Sequence, residues 1–134
     1  VKRKPTVSAG IHRVVRLEPS LAAPGQARRA VRSALASGLS ADTTDLAELL
    51  TSELVTNAIR HGSGPVTLVL SCSNGVLAIS VGDDAPAMPV LAPDDAALAV
   101  GGRGVRMVQR LAQEWGVTPR ESGPGKVVWF RLPA

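Results

Sequence analysis

The chain has 134 residues, the size of one ordinary domain, and its 45% apolar and 19% charged content excludes a disordered polymer. The formal net charge of +4 and pI near 10.2 permit nucleic acid, anionic nucleotides or an acidic protein surface as partners, and select none of them. Cys72 is the only cysteine, which excludes an internal disulfide and a zinc cluster; Trp115, Trp129 and Phe130, with no tyrosine, are too few for a base-stacking surface.

Residues 1–10 are polar and basic and read as a flexible lead-in with no apolar stretch behind it, so no signal peptide is expected. No apolar run approaches the ~18 residues of a membrane span, and the lone cysteine fits a reducing, cytoplasmic setting. His12 to Leu17 is a candidate first strand, ended by Pro19. Ser20 to Ser37 follows as a helix with Ala27, Val31, Ala34 and Leu35 as its apolar stripe, Arg28, Arg29 and Arg32 on another face, and Gly38 as its stop. That arginine face alone would carry a nucleic-acid reading, and a solvated helix face is the plainer account of it.

Ser40 and Asp42 are candidate caps for a second helix that runs to Gly62. Leu46, Leu50, Glu53, Asn57 and His61 fall on one face, which turns from leucine to acid, amide and imidazole midway. Burying an unpartnered carboxylate or amide costs several kcal/mol, so a ligand is one candidate partner; an exposed polar turn is the plainer alternative. Val66 to Ser71 and Val76 to Gly82 are two strands joined by Ser73-Asn74-Gly75, a strong hairpin signal.

The stretch from Asp83 to Arg103 is rich in proline and aspartate and too long for a simple connection, so it reads as a lid. Gly104 to Glu114 is helical, and Trp115 to Pro119 and Lys126 to Leu132 are the last two strands. The order predicts a two-layer α/β sandwich rather than a doubly wound sheet.

Three constellations bear on chemistry. Glu53 and Asn57, one helical turn apart, offer a carboxylate that can deprotonate a hydroxyl and an amide oxygen suited to Mg²⁺. Asp83 ends an apolar strand and suits an exocyclic amino group, although an Asx-turn explains it as well. Gly101-Gly102-Arg103-Gly104 before a helix lets backbone approach a phosphate, yet it matches neither a Walker A loop nor a Rossmann fingerprint.

In order and spacing these motifs resemble the GHKL, or histidine-kinase-like, ATPase superfamily, and most closely the bacterial anti-sigma-factor serine/threonine kinases. SELVTNAIRHG resembles the N box, VGDDAP the adenine-aspartate box, GGRGVRMVQRLAQEWGV the second glycine box with its Trp-Gly exit, and GKVVWF the closing strand. The resemblance runs from about Ala27 to the C-terminus. It implies a Bergerat-type fold over residues 11–134, a mixed, largely antiparallel sheet covered on one face by helices, with a lid at about 87–103. It further implies ATP and Mg²⁺ as cofactors, Glu53 as the catalytic carboxylate and Asn57 as the Mg²⁺ ligand. Asp83 would meet the adenine amino group beside Ala85, while His61, Gly102, Arg103, Gly104 and Val105 would lie near the phosphates and lid hinge. For His61, a cation favoured by the helix C-terminus is an equal reading. The implied partner is a STAS-domain anti-anti-sigma protein, with a sigma factor as a second candidate and neither nucleic acid nor membrane; relatives of this kind often form homodimers. A non-catalytic ATP-dependent switch is the alternative function. Ala85 stands where the family has glycine, which implies altered geometry at the start of the lid. Lys126 and Val127 stand where a threonine often reaches adenine through water, which lowers the expected nucleotide affinity.

Overall fold

A computed structural model describes residues 10–36, 38–85, 102–120 and 123–134, with the side chains of 102–105 excepted. Among these residues there are five strands and three helices: β1 (Ile11–Leu17), α1 (Ala23–Ala34), α2 (Ala41–His61), β2 (Val66–Ser73), β3 (Val76–Asp83), α3 (Gly102–Leu111), β4 (Glu114–Pro119) and β5 (Lys126–Pro133). The sheet order is β1-β2-β3-β5-β4, and all four pairings are antiparallel. The expected two-layer sandwich is therefore present, a sheet with helices on one face.

Period-two alternation decides which strand residues meet the helices. Val66, Leu68, Leu70 and Cys72 on β2 are buried, as are Leu77, Ile79 and Val81 on β3 and Val128, Phe130 and Leu132 on β5. Asp83 and Lys126 continue those two stripes and share their face. The opposite face is lined by Val14, Val69, Ser80 and Trp129, with Val14 61% exposed. The β2–β3 hairpin turns at Asn74 (φ 53) and Gly75 (φ 78), both left-handed, as a two-residue primed turn requires.

α1 is shorter than expected, starting at Ala23 with Pro24 in its first turn and ending at Ala34; residue 37 lies outside the described residues. Its buried stripe of Ala23, Ala27, Val31 and Ala34 packs on α2. α2 is capped by Ser40, whose hydroxyl accepts from the Thr43 amide at 3.1 Å. Its core stripe is Ala47, Leu50, Leu54 and Ala58, flanked by Thr51 and Val55. That stripe is rotated from the expected one, so Leu46, Glu53 and Asn57 lie along its edge and His61 is exposed. Arg32 of α1 donates to both carboxylate oxygens of Glu48 on α2, at 2.7 and 3.1 Å. One of the three arginines read as a solvated face thus clamps the two helices.

The lid expected at about 87–103 lies outside the described residues except for its last two positions. Those two, Gly102 and Arg103, belong to α3. Glu114 belongs to β4 rather than to the preceding helix, and accepts from Arg131 across the β4–β5 ladder. Residues 1–9 also lie outside the described residues.

Candidate functional site

Three segments meet at one end of the sheet: the C-terminal turn of α2, the end of β3 and the start of β5. The Asp84 amide donates to the Ser63 carbonyl at 2.8 Å, tying β3 to the residues that follow α2. The contact is close because Gly62 and Gly64 have no side chains. A Cβ on Gly62 would sit 2.5 Å from Asp83 Cγ, and one on Gly64, itself at φ +73, would collide with the Asp84 carboxylate.

Asp83 is buried, and it is not free. Lys126 lies directly across the β3–β5 ladder, and its Nζ donates to Asp83 Oδ2 at 2.8 Å and Oδ1 at 2.9 Å. The side chains of Lys126 and Asp83 are 4% and 2% exposed. The Ala85 amide donates to Asp83 Oδ1 at 2.8 Å, so an Asx-type turn and an ion pair use the same carboxylate. Asp84 is bound in turn by the Arg120 guanidinium, which also reaches the Asp83 carbonyl. Each carboxylate of the Asp-Asp pair therefore carries its own cation.

Glu53 and Asn57 stand one turn apart on α2, as their spacing predicts. Asn57 is only 7% exposed, and its amide has no hydrogen-bond partner among the described residues. Glu53 is half-buried and makes no ion pair among the described residues. Nine residues separate Glu48 from Asn57, which is about 180° around an α-helix. Glu48 faces α1, so Asn57 is on the far flank, and α3 is the other helix packed on α2. α3 begins at Gly102, so the N–H groups of its first turn have no partner within the helix itself. The side chains of Arg103 and Val105 lie outside the described residues. His61 is exposed in the last turn of α2.

Such a set has definite chemical capacity. Among the described residues no cluster of three or more His, Cys, Asp or Glu could hold a metal. A cation here would take few ligands from the chain, which suits Mg²⁺ held by one amide oxygen, waters and phosphate oxygens. The Asn57 amide, without a partner among the described residues, fits that role. Sequence reasoning missed Arg120 and the engagement of Lys126 with Asp83. The signal for Lys126 was present, since alternation in KVVWFRL places a lysine on the same face as Val128, Phe130 and Leu132.

These features coincide with a known family. The histidine kinase-like ATPase domain family matches residues 17–132. No curated protein matches the chain. The crystal structure of the RsbU and RsbW domains of Rv1364c from Mycobacterium tuberculosis is similar at TM-score 0.69 and 18% identity, covering 91% of this chain and 31% of that one. The histidine kinase domain of the Erythrobacter litoralis EL346 blue-light activated histidine kinase is similar at TM-score 0.54 and 29% identity, covering 84% of this chain and 59% of that one. The chain thus spans about a third of the first structure and three fifths of the second. No helix among the described residues is long and apolar enough to cross a membrane. With the family matched along nearly its whole length and the sheet-and-helix layers in place, the chain belongs to the histidine kinase-like ATPase domain family and has the GHKL ATP-binding fold.

Proposed function

We propose that this chain is an ATP- and Mg²⁺-binding regulatory serine/threonine kinase of the anti-sigma-factor type. Residues 11–134 act as one domain. The observation that carries the proposal is the Glu53/Asn57 pair: a side-chain amide and a carboxylate, neither with a partner among the described residues, on the flank of α2 away from α1. Asn57 holds the metal and Glu53 accepts the proton of an attacking serine or threonine hydroxyl. The first turn of α3, from Gly102 to Val105, lies at the phosphates, where free N–H groups and the helix dipole offset negative charge. Asp83, with Ala85 beside it, forms the base subsite, and His61 lies near the phosphates. Magnesium, when bound, supplies charge neutralisation on the phosphate oxygens. The phosphate acceptor is a STAS-domain partner, and a sigma factor is a second partner; the likeness to a structure containing an RsbW domain supports this choice.

Calorimetry of Asn57→Ala tests the site. The variant loses Mg²⁺-dependent ATP binding, and unchanged binding would refute the assignment. Labelled ATP with candidate STAS partners tests transfer, with labelling lost in Glu53→Ala. A second reading, a non-catalytic ATP-dependent switch, draws support from Ala85 and Val127, which depart from the family's motifs at the adenine box and the closing strand. Tight ATP binding without labelling of any partner would favour it.

A further inference from the structure

The ion pair at the end of β3 bears on nucleotide recognition, and the role assigned to Lys126 rests on the proposed ATP site. A carboxylate oxygen has two lone pairs. Oδ1 of Asp83 uses both, on Lys126 Nζ and on the Ala85 amide. Oδ2 uses one on Lys126 Nζ, and the whole side chain is 2% exposed. An ammonium has donors and no acceptor, and the amino group of adenine is likewise a donor toward a carboxylate. The two compete for the same carboxylate; one Oδ2 lone pair stays unused, so exclusion rests on the space around Asp83 and not on lone-pair count. The cage leaves little room for both, since Gly62 closes against Asp83 Cγ and Gly125 is buried beside the Asp83 carbonyl.

We propose that Lys126 is an internal occupant of the base subsite: its ammonium stands on Asp83 where a purine amino group would donate, and nucleotide binding requires it to leave. Lys126 thereby sets both the affinity and the base selectivity of the site. Its four-carbon stem allows the departure without movement of the β5 backbone.

The test compares Mg²⁺-ATP with Mg²⁺-ITP, which carries a carbonyl in place of the amino group. Binding is measured by calorimetry to the wild-type chain, Lys126→Met and Lys126→Gln. Lys126→Met should bind ATP roughly tenfold tighter than wild type, the scale of one charge-assisted hydrogen bond, with no gain for ITP. Loss of a positive charge near a triphosphate would by itself weaken both nucleotides, so a gain confined to ATP has the opposite sign to a general electrostatic effect. Lys126→Gln keeps a neutral donor on Asp83 and remains folded should the methionine variant not; its gain for ATP is smaller and again absent for ITP. Wild-type ATP binding combined with equal or weaker binding in the folded variants overturns the role of Lys126 and leaves the ATP reading standing. Absence of ATP binding in all folded forms overturns both.

Discussion

Removing one member of the Asp83–Lys126 pair should cost far more stability than removing both. The two groups are 2.8 Å apart with side chains 2% and 4% exposed, so each is cut off from water. At an effective dielectric of about 20 their attraction is of order 6 kcal/mol, largely offset by the desolvation of two charges. Asp83→Leu leaves a buried ammonium and Lys126→Met a buried carboxylate, and either should cost about 3–5 kcal/mol. The double variant, an apolar pair of similar volume, should lie within about 1 kcal/mol of wild type or be more stable. For 134 residues, 1 kcal/mol corresponds to roughly 3–4 °C in Tm, so each single variant should melt about 10–18 °C lower. Urea titrations followed by far-UV circular dichroism, alongside scanning calorimetry, give the four corners of the cycle. Additive effects, or single variants within about 1 kcal/mol of wild type, would refute the reasoning and show that water or another group already serves these charges.

Local geometry sets the expected outcome at three glycines and at the cysteine. Gly62→Ala places a Cβ 2.5 Å from Asp83 Cγ and from the Ala58 carbonyl, and should cost about 1–3 kcal/mol in denaturant unfolding. Gly75→Ala, at φ +78 with nothing within 4 Å, should cost only the left-handed backbone penalty of about 1 kcal/mol. Gly116→Ala drives a Cβ to 2.6 Å from the Trp129 indole and should push the ring off the Arg131 guanidinium, now 4.9 Å from its centroid; Trp129 emission in a Trp115→Phe background reads the shift. Burial pushes the Cys72 thiol above its ordinary 9.0, so the folded chain holds the proton more tightly than the unfolded one. Its contribution to stability is complete below pH 9 and is lost as pH rises through the folded value. Cys72→Val should therefore lose less stability than wild type as pH rises above 9 in parallel urea titrations.

The layers were legible in the chain because β2, β3 and β5 alternate cleanly and the first two helices end at glycines. Asn74-Gly75 announced its hairpin, and Ser40 its cap. The angular placement of α2 was not legible, since Leu46 and Leu50 support a stripe through Glu53 as readily as the observed one through Leu54 and Ala58. Only the positions of α1 and α3 on either side decide between the two. The Arg32–Glu48 clamp was hidden for a related reason: sixteen residues and an interhelical turn separate the partners, and no local spacing rule reaches that far. Asp83 with Lys126 is different. Each sits on an apolar stripe where burial forbids an unpaired charge, so each demands a partner of opposite sign, and the two demands can be matched from the strand pattern alone.

That pairing also bears on how binding at Asp83 would reach the rest of the site. Asp83 is clasped from one side by Gly62, at the very end of α2, and Asp84 is hydrogen-bonded to the carbonyl of Ser63. The same helix carries Asn57 little more than one turn earlier and Glu53 one turn before that. Any movement of the Asp83 carboxylate as Lys126 leaves must therefore press on the turn that ends α2 or be absorbed in Arg120, which holds both Asp84 and the Asp83 carbonyl. A base that displaces Lys126 would then be felt at Asn57 through one rigid helix rather than through a chain of side chains. Gly62→Ala puts a Cβ 2.5 Å from Asp83 Cγ, so the carboxylate or the turn must already shift in that variant, and the proposed ATP and metal binding should weaken together.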